Sequence, residues 1–221
     1  MRAADSVWAV IVARVGNGAK SRLAGVLSST QRRALALAML ADVVDVCVQA
    51  RGVLAGALAV VDSPDARLAV ERGGAIAVAD PGAGDMNAAV VAGLRSAREL
   101  GATTALVVPG DVPLVALSDF RALLELAGAA PRAVIVAASH DGDGTNALLL
   151  RPPQVIVPGF GPPSLQRHVR AGLGAGALTL VRFHLHLALD VDTPADLAAL
   201  QSAHPRPHTA AALAELALVL D

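Results

Sequence analysis

The chain has 221 residues and a formal net charge of -1, with 18 Lys and Arg against 19 Asp and Glu. That length suits one α/β domain with a sizeable core, and the charge balance gives no electrostatic basis for nucleic acid as a bulk partner. Hydrophobic residues make up 54% but aromatics 2%, so the core must be Ala, Val and Leu at close approach, and a single cysteine, Cys47, excludes an intramolecular disulfide or a cysteine-built zinc cluster.

Residues 7–14, "VWAVIVAR", form a β-branched apolar run that suits a strand buried on both faces. The loop "VGNGAKSRL" follows, and then a long helix opens with Ser28 and Gln31 at capping-box spacing and holds Cys47 as a buried thiol. "GALAVVDS" (56–63) reads as a second strand and "PDARLAVERGG" as a short helix closed by glycine. "AIAVAD" is a third strand ending at Asp80, and residues 85–101 a glycine-terminated helix. "TTALVVPGDVPL" (103–114) is a fourth strand running into a Gly-Asp turn, "LSDFRALLELAGA" a helix and "RAVIVAAS" a strand. "DGDGTNALLLRPP" turns into another strand, "GPPSLQRHVRAGLGAG" mixes loop and helix, and "LTLVRFHLHLALDVD" holds one or two strands.

A helix begins at Thr193, and the tail from residue 204 ends in an Ala/Leu-rich helix. Alternating strands and helices imply a three-layer α/β/α architecture with a mainly parallel sheet. The later strands crowd together, so an antiparallel strand is expected there. Residues 1–203 are read as one domain and 204–221 as a tail helix. No signal-like segment or run of 18 apolar residues is present, so the expectation is a cytoplasmic protein with no membrane partner.

In open parallel sheets, sites gather where strands end. The first strand ends in Arg14, before a loop with Lys20 and Arg22. The third ends in Asp80, the fourth in Gly110 and Asp111, and the last in Asp190 and Asp192. Basic residues on one loop and acids on other strand ends are the charge layout for a nucleoside triphosphate with Mg²⁺. In "LALDVDTPADL", Thr193, Pro194 and Asp196 are explained as a helix start. Asp190 and Asp192 are not: two apart in an extended chain, they aim two carboxylates at one place, which suits either a divalent cation or ordinary turn aspartates.

"GNGAKSRL" fails the spacing of a P-loop, so it is either a phosphate-binding loop or a solvated turn. His184 and His186 in "FHLHL" would share one face of a strand, as a metal pair or, more simply, a sheet edge or dimer face. His168 sits beside Arg167 and Arg170, a basic cluster suited to a phosphate, a carboxylate or water. His204 and His208 read as exposed.

In this order, "AKSRL", "GDVPL", "DGTNALLL", "FGPPS" and "LDVDTPADL" resemble the guanylyltransferases of deazaflavin coenzyme F-420 biosynthesis over about residues 6–202. These belong with the nucleotidyltransferases of the nucleotide-diphospho-sugar transferase (GT-A-like) fold, and the molybdenum-cofactor guanylyltransferases are cousins. The resemblance implies transfer of GMP from GTP to a three-carbon phospho-acid with release of pyrophosphate. The acid is 2-phospho-L-lactate, phosphoenolpyruvate or 3-phospho-D-glycerate, and the product feeds a downstream phospho-acid transferase. It further implies that Asp111, Asp190 and Asp192 bind Mg²⁺ (or Mn²⁺), with Lys20, Arg22 and Asp111 as the catalytic set. Thr145, Asn146, Gly161 and Ser164 would bind the phospho-acid. Arg14, Lys20, Arg22, Asp80, Asn87 and Gly110 would handle the nucleotide.

Two features depart from the family pattern: the first strand ends in Arg14 where a lysine is usual, and "DPGAGDMNAA" is short. The rival readings are another nucleotidyltransferase with a larger acceptor, of the molybdopterin or sugar-phosphate type, and a non-catalytic nucleotide-binding relative. The tail helix and "FHLHL" are expected to serve a homodimer or partner contact.

Overall fold

A computed structural model describes residues 5–16, 18–82, 84–183 and 185–220. The first strand, β1 (Val7–Ala13), is the apolar run read above, and its residues alternate between two cores. Ala9 and Ile11 enter one, Val10 and Val12 the other, so both faces are covered. A 3₁₀ turn (Ser21–Leu23) leads to α1 (Ser29–Gln49), which starts where the Ser28 hydroxyl accepts from Gln31 N–H and the Gln31 amide oxygen accepts from Ser28 N–H. There follow β2 (Gly56–Val61), α2 (Pro64–Arg72), β3 (Ile76–Ala79), α3 (Met86–Glu99), β4 (Thr104–Pro109) and α4 (Leu117–Ala127). The second half holds β5 (Ala133–Ala138), β6 (Thr145–Arg151), α5 (Ser164–Gly174), β7 (Leu178–Phe183), α6 (Leu185–Ala188), α7 (Pro194–Ser202) and α8 (Pro207–Leu220).

Among the described residues the strands form one seven-stranded sheet in the order β3-β2-β1-β4-β6-β5-β7. β6 runs antiparallel to both β4 and β5, and the remaining pairs are parallel. The expected antiparallel strand is therefore β6. It begins at the edge where β1, β2, β3, β4 and β5 end, which brings Thr145 and Asn146 into the region that the strand ends share.

α1, α2 and α4 pack on one face and α3 and α5 on the other. The small-residue composition has a direct use in that packing. A Cβ at Gly93 of α3 would lie 2.5 Å from Val10, so glycine lets this helix approach the sheet. α8 lies along α1: Leu213 and Leu216 join Leu35, Met39, Leu197 and Leu200 in a third apolar cluster, and the buried Asp42 carboxylate accepts from the N–H groups of His208 and Thr209. His204 and His208 are exposed, as expected.

The structure corrects "FHLHL". β7 stops at Phe183, and Leu185–Ala188 is a short helix with Leu187 buried. His184 lies outside the described residues. His186 is on a helix, its Nδ1 3.1 Å from Asp119 Oδ1, so the alternating pair on a strand face is not formed. Among the described residues, no helix is long and apolar enough to cross a membrane.

Candidate active site

A cleft of about 670 Å³ opens over the strand ends. Of the residues that the family resemblance assigned to the metal, the nucleotide or the phospho-acid, each lines it except Asn87. A second hollow, at the other end of the sheet, is lined by groups paired among themselves: Arg151 bonds Asp5 at 2.7 Å, Thr104, and the Gly128 carbonyl.

The basic loop is held from behind. Asp62, at the end of β2, accepts from Val15 N–H at 2.9 Å and Gly16 N–H at 3.1 Å. Lys20 has φ 51° and ψ 43° and is the one non-glycine residue in the left-handed region among the described residues, a strained conformation of the kind found at functional sites. Its ammonium is 2.5 Å from Asp111 Oδ2 and 3.0 Å from Asp192 Oδ1, with a side chain only 7% exposed. Burial works against the Lys20 charge, but Asp111 and Asp192 outweigh it and raise its pKa. Arg22 stands at the rim, 70% exposed and 3.5 Å from Asp192 Oδ2. Arg14 donates to the Gly84 carbonyl and so ties the end of β1 to the loop before α3.

The acids arrive from two segments. Asp111 follows Gly110, where a Cβ would lie 2.6 Å from the Ala13 Cβ, so glycine is needed where β4 passes the end of β1. Val191 is fully buried and donates its N–H to the Asp111 carbonyl, which leaves the flanking Asp190 and Asp192 in the cleft. Asp196 completes the capping box of α7 and also accepts from Asp192 N–H. The helix-start reading of "TPAD" therefore holds, and Asp190 and Asp192 both line the cleft.

Asp190 accepts from Asn146 Nδ2 at 3.1 Å. Burial raises its pKa, and the nearby charges of Asp111 and Asp192 add to that despite the Asn146 bond. Among the described residues, no three His, Cys, Asp or Glu side chains stand close enough to hold one metal ion. The three aspartates share a cleft, but Lys20 lies between two of them.

The far wall presents uncharged side chains at Thr145, Asn146 and Ser164, with Asp141 on the turn before β6. Thr145 and Asn146 open β6, and Ser164 opens α5 beside Gly161. Ser164 Oγ lies 3.2 Å from Thr145 Oγ1, and both residues are buried. His168 is fully buried behind them, not part of an exposed basic cluster. Its Nδ1 is 3.0 Å from Thr145 Oγ1, and its Nε2 accepts from Gly159 N–H at 3.0 Å. Burial lowers its pKa to about 4, with Arg167 adding to the shift.

Asn87 does not line the cleft. Its amide oxygen accepts from Phe160 N–H and its Nδ2 donates to the Phe160 carbonyl, so both ends of the amide fasten α3 to the "FGPPS" loop. Asp80 and Gly110 line the cleft as expected, and Asp80 also accepts from Gly82 N–H. Sequence reasoning missed Asp62, Ser139 and Asp141, which also line the cleft, and read His168 as part of a basic cluster. For Asp62 a signal was present, since "VVD" ends an apolar run in an acid just as β3 does.

The family described as guanylyl transferase CofC like matches residues 7–213. A phosphoenolpyruvate guanylyltransferase of Conexibacter woesei is 40% identical over 89% of this chain and 87% of that protein. Another, of Rubrobacter xylanophilus, is 42% identical over 89% and 94%. A 3-phospho-D-glycerate guanylyltransferase of Phenylobacterium zucineum is 37% identical over 85% and 86%. A Desulfovibrio desulfuricans G20 structure ascribed to the nucleotide-diphospho-sugar transferases superposes with a TM-score of 0.71 at 19% identity, covering 95% of this chain and 94% of that one. A Methanothermobacter nucleotidyl transferase gives 0.66 at 17%, covering 90% and 97%. Both support the fold that the sequence implied.

Proposed function

Because the chain belongs to the CofC-like guanylyl transferase family, we propose that its cleft joins the GMP of GTP to phosphoenolpyruvate and releases pyrophosphate. The observation that carries this is the division of the cleft. A cation-bearing loop faces the acids on one side, and a polar, uncharged set of Thr145, Asn146, Gly161 and Ser164 stands on the other. The first side suits a triphosphate and the second a small carboxylate.

A phosphate oxygen of the acid attacks the α-phosphorus of GTP, and the bond from that phosphorus to the pyrophosphate oxygen breaks. The attacking oxygen is already anionic near neutral pH, so no strong base is required. Lys20 and Arg22 neutralise the triphosphate and hold it in line. Asp62 keeps the basic loop in place through Val15 and Gly16.

Mg²⁺, or Mn²⁺, fits this donor set. Three carboxylates face one lysine and one rim arginine, leaving negative charge for a hard cation to balance. Mg²⁺ takes only one or two carboxylates along with phosphate oxygens and water, so a closed three-aspartate cage is not required. One or two of Asp111, Asp190 and Asp192 would hold it, and it would supply charge neutralisation at the phosphates. The product is a reactive donor for a downstream phospho-acid transferase.

The test is pyrophosphate release from GTP and Mg²⁺ with each of the three acids separately, with that transferase and a deazaflavin alcohol pulling the product forward. Turnover with phosphoenolpyruvate is expected. Turnover with 3-phospho-D-glycerate or 2-phospho-L-lactate alone would reassign the acid, and no turnover with all three would overturn the reading.

A further inference from the structure

His168 is fully buried, its ring set edge-on to Phe160 with centroids 4.9 Å apart, and the transfer chemistry makes no use of it. Its two nitrogens are distinguishable. Gly159 offers Nε2 a backbone N–H, which can only donate, so Nε2 must be the unprotonated nitrogen. A proton on Nε2 would set two donors head-on at 3.0 Å, and burial and Arg167 oppose the doubly protonated ring as well. Nδ1 therefore carries the hydrogen and donates it to Thr145 Oγ1.

That tautomer decides what the wall of the cleft can offer. His168, Thr145 and Ser164 together own three hydrogens, one N–H and two O–H. They share two contacts, His168 to Thr145 and Thr145 to Ser164. The imidazole N–H fills the first and one hydroxyl fills the second, so one hydroxyl hydrogen is left over for the cleft. With the other tautomer both hydroxyls would be consumed, and the wall would turn lone pairs toward an anion.

We propose that His168 is a positioning residue which, by its fixed tautomer, commits one hydroxyl hydrogen of the Thr145–Ser164 pair to the carboxylate of the bound phospho-acid. This rests on the assignment of Thr145 and Ser164 to the acid's subsite. The side chain is fully buried behind Thr145 and does not line the cleft, so its effect falls on the KM of the acid.

The test compares two amides. In His168→Asn the amide nitrogen takes the place of Nδ1 and keeps the donor to Thr145. In His168→Gln the amide oxygen takes the place of Nε2, keeping the partner of Gly159 N–H and losing that donor. The expected result is a KM for the acid raised about tenfold or more in His168→Gln, as for a lost hydrogen bond to a charged group, and within about threefold of wild type in His168→Asn. The KM for GTP should stay level in both.

Equal KM values for the two variants, or parallel changes in the KM for GTP, would overturn the proposal. Imidazole ¹⁵N resonances of the wild-type protein test it with no variant at all. A protonated Nδ1 with a bare Nε2 is expected, and the reverse would overturn it. Thr145→Val and Ser164→Ala separate the underlying assignment. If neither changes the KM of the acid, the subsite is wrong. If both do while the two His168 amides behave alike, the subsite stands and the role of His168 fails.

Discussion

At the mouth of the cleft Asp111 and Asp192 share one buried lysine with Asp190 beside them, while along the far wall Thr145, Ser164 and His168 form a neutral chain with its hydrogen bonds in place. The charged side has unbalanced negative charge and a lysine in a strained backbone conformation. The neutral side has neither. A triphosphate and its cation bring large opposing charges, so a charged mouth is completed by binding. A small carboxylate brings one charge and needs donors already aimed at it, because reorganising them would cost much of the little binding energy it offers.

The contrast breaks most directly at Lys20. Replacement by methionine removes the ammonium between Asp111 and Asp192, and turnover is expected to fall about 10²–10³-fold, as for loss of a preorganised charge-stabilising donor. Arg22→Met should cost about tenfold or less, since this side chain is 70% exposed at the rim and its ion pair with Asp192 is 3.5 Å long. Steady-state rates at saturating GTP give the comparison. Equal losses would mean that burial of Lys20 confers no advantage.

The charged side was the more legible of the two from sequence. Strand ends carrying acids, and a loop carrying cations, are visible as a run of apolar residues ending in a charge, and that rule found Arg14, Lys20, Asp80, Asp111, Asp190 and Asp192. Applied to β2 it would also have found Asp62. The neutral wall leaves no such mark. Thr145 and Ser164 are ordinary residues until β6 is known to run antiparallel and start at the ligand edge.

His168 read as one of three neighbouring basic residues because periodicity does not say which of them faces the core. Asn87 was misjudged for a related reason. Its position near the cleft was right, but the backbone of Phe160, 73 residues away, claims both ends of its amide. Helix boundaries were readable wherever a cap was spelled out, as at Ser28 and Thr193. "FHLHL" failed because β7 ends at Phe183 and Leu185–Ala188 turns into a helix, which a five-residue alternation is too short to exclude.

Acid should weaken the fold through His168. The folded protein holds His168 at about 4, against 6.5 for a free histidine. Between those values the unfolded chain binds a proton that the native state refuses, so stability falls as pH falls through this window and levels off below it. The full difference is about 3 kcal/mol at 1.36 kcal/mol per unit. Urea unfolding at pH 7.5 and 4.5 should show most of that loss in wild type and a flatter dependence in His168→Asn. The same slope in both would mean that the buried ring titrates normally.

The smallest expected effect has the opposite sign and belongs to the mouth. Burial and the charges of Asp111 and Asp192 raise the pKa of Asp190, so its ionised form is a net cost to the fold. That cost grows as pH rises from the ordinary carboxylate range through the raised value, and is complete above it. Asp190→Asn removes the charge and keeps an oxygen to accept from Asn146 Nδ2. In a chelator at pH 7 the variant should be more stable than wild type by about 0.5–2 kcal/mol, the usual yield of relieving one unfavourable site. The advantage should fade as pH falls toward the ordinary carboxylate range. With Mg²⁺ and GTP added the order should reverse, because ligand that binds the intact acids stabilises wild type by mass action. A variant less stable than wild type in chelator would mean that Asp190 supports the fold rather than straining it for the ligand.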